Sequence, residues 1–159
     1  MRADYINPFI QSLCTTFETM LSCEITRGQL YLREPNTALH DISGVIGLSG
    51  NAQGTVVLSL DKKVALAAAS VLLMCEAEEI NADVVDAVGE LTNMVAGGAK
   101  AKLEEYQLSI SLPSVVTGTG HEIRFPSNVT PICVPFNSPW GPLKIEVGLA
   151  AVQQLAGAH

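Results

Sequence analysis

The distribution of apolar and polar residues along the chain predicts a helix, then strands, then two helices, then further strands. Apolar residues recur at helical spacing through residues 5–21, which predicts an amphipathic first helix. Alternating or β-branched residues predict strands over 24–32, 42–50 and 54–60, with a break at Pro35 and Asn36 after the first of them. The second and third of these strands should form a hairpin.

Two polar residues mark the starts of the central helices. Asp61 is a candidate N-cap for a helix over 62–74, and Asn81 is one for a helix that runs to about residue 106. Strand blocks on both sides of a helical centre favour an α+β fold, with a largely antiparallel sheet, two long central helices packed on it and the N-terminal helix. The later block consists of β-rich segments separated by Gly, Pro and Asn: 108–116, 122–126, 129–136 and 143–152.

The composition fits one compact domain over residues 1–159, since 48% of the residues are apolar and only 16% are charged. The net charge of -7 and the lack of any Lys or Arg cluster argue against nucleic acid and anionic membranes as partners. The longest apolar run, residues 64–74, is shorter than the roughly 20 residues of a membrane-spanning helix. The N-terminus lacks the pattern of a secretion signal, so we expect a cytoplasmic protein.

The four cysteines, Cys14, Cys23, Cys75 and Cys133, are widely spaced along the chain. They form no C-x-x-C pair and have no histidines at zinc-site spacing. We therefore interpret them as small buried apolar residues and expect no metal site in this chain.

The third predicted helix has two distinct faces. Its core face has apolar residues every three or four positions: Val84, Val88, Leu91, Val95, Ala99 and Leu103. The opposite face carries a row that we call the polar stripe: Asp86, Glu90, Asn93, Gly97 and Lys100. The apolar face of this helix should therefore pack on the sheet, and the polar stripe should face outward.

The third predicted helix contains residues that a helix disfavours, on the polar stripe and beside it. Asn is a poor helix former, and Gly89, Gly97 and Gly98 each cost up to about 1 kcal/mol relative to Ala. A second Glu-x-x-Asn pair, Glu78 and Asn81, lies at the predicted helix start, where Asn81 has a capping role. Glu90 and Asn93 lie within the helix and have no such role, so a face with a Glu, an Asn and then a Gly suggests docking of another protein.

The stripe resembles the signature of the CheC/CheX/FliY family of chemotaxis phosphatases, which is Asp or Ser, three residues, Glu, two residues, Asn. Here Asp86, Glu90 and Asn93 occupy those positions, and the predicted order of elements resembles the family over nearly the whole chain. The second pair has Met74 where the signature needs Asp or Ser. A single signature in mid-helix resembles the CheX type, whereas CheC carries two.

The resemblance implies hydrolysis of the aspartyl phosphate on a response regulator that resembles CheY. It implies that Asn93 orients the attacking water, that Glu90 pairs with a regulator lysine and that Asp86 supports this pair. Gly97 and Lys100 continue the stripe and are expected to contact the partner. The Mg²⁺ would belong to the regulator, so this chain would need no cofactor of its own.

Relatives of the CheX type also imply a homodimer formed through the sheets. The segment 129–136 is the expected edge for strand addition, although Pro131 and Pro135 limit it. Two other interpretations remain open: a non-catalytic regulator-binding module that resembles the middle domain of the flagellar switch protein FliM, and a structural homodimer without a partner. Intact Glu90 and Asn93 argue against the first, and the second leaves the stripe unexplained.

Overall fold

The computed structural model describes residues 3–34, 37–126 and 129–152, so the predicted break at Pro35 and Asn36 lies outside it. The helices are α1 (Ile6–Leu21), α2 (Lys62–Leu73) and α3 (Ala82–Ala101), with short 3₁₀ turns at Ala3–Tyr5 and Glu104–Tyr106. The strands are β1 (Thr26–Arg27), β2 (Tyr31–Leu32), β3 (Ile42–Ser49), β4 (Ala52–Leu60), β5 (Ser109–Ile110), β6 (Ser114–Thr117), β7 (Ile132–Ser138) and β8 (Gly141–Ala151).

The strands form one antiparallel sheet in the order β1-β7-β8-β4-β3-β5. β2 also pairs with β7, and β6 also pairs with β3. The long central strands fix the register, since Val56 lies opposite both Ile46 of β3 and Val147 of β8. The predicted α+β fold with a largely antiparallel sheet is therefore confirmed.

The three helices cover one face of this sheet. Alternate strand residues such as Ile46, Val56 and Ile145 have no exposed surface, and they pack in one cluster with Phe9 of α1 and Leu91 of α3. The predicted caps are present, because Asp61 accepts from the Lys63 N–H at 3.1 Å and Asn81 accepts from the Val84 N–H at 3.0 Å. No helix in the described ranges is long and apolar enough to cross a membrane.

The second face of the sheet is covered by irregular segments of the chain, which include Ala38 and Phe125. The Lys144 ammonium on β8 donates to the Ala38 carbonyl at 3.2 Å. Gly148 lies under Phe125, since a Cβ placed on Gly148 would lie 3.0 Å from that ring. Glu146 is consequently fully buried between the two layers.

Several predicted boundaries were wrong. The predicted strand over 24–32 is two short strands, β1 and β2. Between them, the three residues 28–30 lie opposite only two residues of β7, 134 and 135, and this bulge interrupts the strand. The segment 108–116 is likewise two strands, β5 and β6, with Pro113 in the interruption. Residues 122–126 form no strand and instead belong to the irregular cover of the second face.

The third helix also ends earlier than predicted, at Ala101 rather than near residue 106. Lys102 leaves helical geometry with φ -97° and ψ 0°, and a separate 3₁₀ turn follows at Glu104–Tyr106. The apolar spacing continues to Leu103, which is buried after the helix has ended. Because Leu103 is buried although it follows the helix, the apolar spacing predicted a helix longer than the one observed.

The sheet edge expected to pair with a second copy is not free. β7, which covers most of the predicted segment 129–136, has β8 on one side and β1 and β2 on the other. The Pro135 carbonyl accepts from the Gly28 N–H at 2.7 Å, and the Pro131 carbonyl accepts from the Arg33 N–H at 2.9 Å. Strand addition along β7 was therefore a wrong expectation, and a homodimer would need another surface.

The cysteines do not all share one environment. All four are free; Cys23 and Cys133 are buried and Cys14 is partly buried, but Cys75 is exposed, so the interpretation as a buried residue was wrong for Cys75. Burial first, and the nearby Glu146 second, raise the pKa of the Cys133 thiol to about 12. Cys133 is therefore held as a thiol, whereas Cys75 is open to reagents.

We expect a maleimide at pH 7.5 to modify Cys75 at least about a hundredfold faster than Cys133 in the native protein, because the thiolate is the nucleophile and access is also required. Mass spectrometry of a time course measures this difference. Cys75→Ser should remove the fast modification, and urea should expose the other cysteines. Equal rates at Cys75 and Cys133 in the native protein would contradict the placement of Cys133.

Candidate functional site

Helix α3 lies close against β3 because a glycine opposes it. A Cβ placed on Gly44 would lie 1.9 Å from the Thr92 hydroxyl oxygen, so only glycine leaves room for that side chain. The Thr92 hydroxyl donates back to the Val88 carbonyl at 2.8 Å and is fully buried. This contact fixes the inner face of α3 on the sheet, and the polar stripe is therefore held on the outer face.

The glycines of α3 have different roles. Gly98 admits α1, since a Cβ there would lie 2.3 Å from the Ser12 hydroxyl oxygen, which donates to the Val95 carbonyl at 2.7 Å. A Cβ on Gly89 would be in ordinary contact with Pro113, at 3.5 Å. A Cβ on Gly97 would meet nothing within 4 Å. Helix packing thus explains Gly98, while nothing within the described structure requires Gly97.

The structure places the five stripe residues on the accessible side of α3. Asp86, Glu90 and Lys100 are exposed, and Asn93 and Gly97 are partly exposed. Within the described ranges, no side-chain hydrogen bond or ion pair involves Asp86, Glu90, Asn93 or Lys100. The carboxylate of Glu90 and the amide of Asn93 are therefore free to bind an external group.

The second Glu-x-x-Asn pair has the structural role expected from its position. Asn81 is the N-cap of α3, and its side-chain oxygen is already occupied by the Val84 N–H. Glu78 lies before the helix in the connection from α2. Of the two pairs, Glu90 and Asn93 share one helix face, and neither side chain has a hydrogen bond or ion pair within the described part of the chain.

Two grooves that the sequence pattern did not indicate border the ends of the stripe. One, of about 370 Å³, lies beside its N-terminal half and is lined by Leu72, Leu73, Asp83, Asp86, Ala87 and Glu90. The other, of about 440 Å³, lies at its C-terminal end and is lined by Gly97, Lys100, Ala101, Glu104, Gln107, Leu108 and Ile110. Both grooves combine α3 with residues from another element, so helical spacing alone could not reveal them.

A serine and a histidine elsewhere in the fold are close enough to suggest a nucleophile and its base. Nε2 of His121 lies 2.7 Å from the Ser43 hydroxyl oxygen, and Nδ1 lies 2.6 Å from the Gly118 carbonyl oxygen. However, Ser43 is fully buried and its hydroxyl also bonds to that of Ser59 at 2.8 Å. This network attaches the cover of the second face to the sheet and offers no access to a substrate.

Comparison with known proteins identifies the family to which this fold and stripe belong. A family model described as chemotaxis phosphatase CheX matches residues 42–137. The chain belongs to the CheX family. The matched residues include the whole of α3 and therefore all five stripe residues, so the resemblance found in the sequence is confirmed at the level of the family.

Individual relatives agree with this assignment. The CheY-P phosphatase CheX of Thermotoga maritima is 29% identical over 127 residues, which cover 78% of this chain and 82% of that protein. A CheC-like superfamily protein from Shewanella sp. PV-4 has 36% identity and a TM-score of 0.88, covering 95% of this chain and 100% of that chain. The CheX–CheY–BeF₃–Mg²⁺ complex from Borrelia burgdorferi matches at 27% identity and a TM-score of 0.76, covering 94% and 98%.

Proposed function

We propose that this CheX-family chain hydrolyses the aspartyl phosphate of a CheY-like response regulator in chemotaxis. The observation that carries the proposal is the pair Glu90 and Asn93, held on the outer face of a fixed helix with no hydrogen-bond or ion-pair partner in the described part of the chain. The Thermotoga maritima relative is named a CheY-P phosphatase, and the Borrelia burgdorferi relative is seen in complex with CheY. Both relatives support the same substrate class here.

Asn93 orients the attacking water. Its amide can donate one hydrogen bond and accept another, which suits the placement of one water in line with the bond to the leaving aspartate. The water oxygen bonds to phosphorus as the bond to the aspartyl oxygen breaks, which yields inorganic phosphate and the free carboxylate. Because phosphoryl transfer passes through a loose transition state, positioning of this kind supplies much of the catalysis.

Glu90 lies one helical turn before Asn93 and forms an ion pair with a lysine of the regulator. Asp86, one further turn toward the N-terminus, adds negative charge on the same side and supports that pair. Gly97 and Lys100 continue the contact toward the C-terminal groove. The stripe thus has an acidic end and a basic end, and the water-orienting amide of Asn93 lies between them. This order of charges sets how the partner is placed.

The Mg²⁺ of the reaction is held by the regulator. In the described ranges, no three His, Cys, Asp or Glu residues are grouped so that they could hold a metal ion. We infer that residues 1–159 act as a single CheX-like unit in the cytoplasm, with neither nucleic acid nor a membrane as a partner. A homodimer remains part of the proposal, through a surface other than the occupied edge of β7.

The proposal is tested by the decay of a radiolabelled phospho-regulator with and without the protein. Faster release of inorganic phosphate in its presence supports catalysis, while binding without acceleration would favour the alternative of a module that resembles the middle domain of FliM. If none of the regulators of the same organism bound the protein or decayed faster in its presence, both interpretations would be wrong.

Gly97 provides a prediction that separates docking from folding. Gly97→Ala should raise the free energy of unfolding by about 0.5–1 kcal/mol, because the added methyl meets no neighbour and Ala favours the helix. Gly97→Leu should raise the half-saturating regulator concentration by about tenfold, because it fills the space used for close approach. Urea unfolding and phosphate release measure the two effects.

Gly98→Ala is the matched control for Gly97. Its Cβ would displace the Ser12 hydroxyl and break the bond to Val95, so this variant should lose stability. If Gly97→Leu bound the regulator as tightly as the wild type, Gly97 would not lie in the interface.

A further inference from the structure

Two large apolar side chains stand out by their exposure. Met74 is 92% exposed and Leu112 is 89% exposed, the two highest values for large apolar residues in the described ranges, followed by Leu32 at 63%. Met74 follows α2 and Leu112 lies between β5 and β6, so they are far apart in sequence. Their chain neighbours nevertheless both lie beside α3: Leu73 lines a groove with Glu90, and Pro113 lies beside Gly89.

Met74 comes directly after the end of α2, which lines the groove beside the N-terminal half of the stripe. Leu73, the residue before it, lines this groove together with Asp86 and Glu90, so the groove is continuous with the polar stripe. Asp83 also lines the groove, and no ion pair in the described ranges involves any of these three carboxylates. A partner that buries Met74 would therefore meet uncompensated negative charge beside it and would need cationic groups there.

Folding alone does not explain the side chain of Met74. This residue is the C-cap of α2 and has left-handed geometry, with φ 57° and ψ 31°. Gly or Asn is favoured at such a position, because a larger side chain has a steric cost there. Met adds that cost and exposes apolar surface to water, so a role outside the isolated fold accounts for it better.

Leu112 is held in a fixed position on the other side of α3. Its neighbour Ser111 is bonded to β3 twice: the Gly47 N–H donates to the Ser111 hydroxyl at 2.8 Å, and the Ser111 N–H donates to the Gly47 carbonyl at 2.9 Å. Its other neighbour, Pro113, lies against Gly89 of α3, directly before Glu90. Leu112 is therefore presented from an anchored segment beside the stripe.

We propose that Met74 and Leu112 are two apolar anchors that seat the phosphorylated regulator on either side of Glu90 and Asn93. The matching face of the regulator carries an apolar hollow on each side of its phosphorylation site, with cationic groups around the hollow that receives Met74. The anchors act on binding and do not touch the reacting atoms. This inference rests on the proposed function, because it assigns the surface through which that partner docks.

The test is phosphate release as a function of regulator concentration for Met74→Ser, Leu112→Ser and the double variant. Each single change should raise the half-saturating concentration about tenfold, since burial of one such side chain contributes about that factor, and the double change should raise it about a hundredfold. The maximal rate should stay within about twofold, because anchors contribute equally to the ground state and the transition state.

Leu32→Ser is the matched control, because Leu32 is an exposed apolar residue on β2, with β7, β8 and β4 between that strand and β3. It should leave both kinetic constants unchanged. Met74→Gly should weaken binding while it preserves the fold, since Gly suits the left-handed position. If the half-saturating regulator concentration were unchanged in both Met74 variants and in Leu112→Ser, the proposal that these residues are anchors would be wrong.

Binding to the regulator locked with beryllofluoride distinguishes failure of this inference from failure of the proposed function. If the wild type binds but does not accelerate decay, the proposed phosphatase activity fails while the loss of binding in the anchor variants still tests the docking surface. If catalysis is intact and the anchor variants bind like the wild type, only the anchors fail.

Discussion

Asn93→Ala is expected to lower the maximal rate of phospho-regulator hydrolysis by about 10² or more while the protein still binds the regulator. In the described ranges the Asn93 amide has no hydrogen-bond partner and the side chain is partly exposed, so its removal should leave the fold intact and withdraw only the group that positions water. A misplacement near 1 Å at the reacting atoms can cost about this factor. Phosphate release measures the rate, and binding to the beryllofluoride form of the regulator measures the affinity.

Two further variants make this result specific. Glu90→Ala should weaken association and the rate together, because a charged pair across the interface contributes to both. Asn81→Ala should lower the stability of α3 by about 1 kcal/mol through loss of the cap, without loss of activity at a temperature where the protein remains folded. Full activity in Asn93→Ala, or a specific loss of activity in Asn81→Ala, would place the site elsewhere.

The helices and the long strands could be predicted because local chemistry determines them. The capping residues Asp61 and Asn81 start α2 and α3 as expected. The apolar face of α3 and the hairpin of β3 and β4 follow from periodicity, which needs only nearby residues. The polar stripe could be predicted for the same reason, since its members are one helical turn apart.

Features that depend on distant contacts could not be predicted. The division of residues 24–32 into two strands depends on its pairing with residues 132–137, about a hundred positions later. The exposure of Cys75 depends on where the connection from α2 to α3 lies relative to the core. The grooves and the exposed Met74 and Leu112 likewise require the arrangement of α2, α3 and the segment between β5 and β6.

The second face of the sheet shows the same limit most clearly. In β8, Lys144 and Glu146 alternate with Leu143, Ile145 and Val147, a pattern typical of a strand with one face in solvent. In the fold, Glu146 is fully buried and Lys144 nearly so, because irregular chain covers them. Irregular segments have no periodicity, so the local sequence pattern could not predict that they cover this face.

The buried charges of this face form one cluster around Glu146. Arg33 Nε lies 3.1 Å from Oε1 of Glu146, and Lys144 Nζ lies 3.5 Å from its Oε2. The Cys133 thiol also donates to Oε2 at 3.3 Å. The Arg33 N–H is not aligned with Oε1 as a hydrogen bond would be, so charge attraction at short range accounts for this contact.

Glu146→Ala should therefore destabilise the protein strongly, by about 3–5 kcal/mol, because it leaves two buried cations without their counter-charge. Urea unfolding of the wild type and the variant measures the difference. Glu122→Ala is the control: its pair with Arg124 spans 3.9 Å and Arg124 is 87% exposed, so its loss should change stability by less than about 0.5 kcal/mol.

The triple variant Arg33→Met, Lys144→Met and Glu146→Leu tests the cause of that loss. If unpaired charge is responsible, removal of all three charges should recover much of the stability, because an apolar cluster of similar volume carries no desolvation cost. If the cause were instead the cavity left by Glu146→Ala, Glu146→Leu alone would restore stability with Arg33 and Lys144 still present. We expect the triple variant to be more stable than Glu146→Leu, since only the triple variant removes the uncompensated charge from between the sheet and its cover.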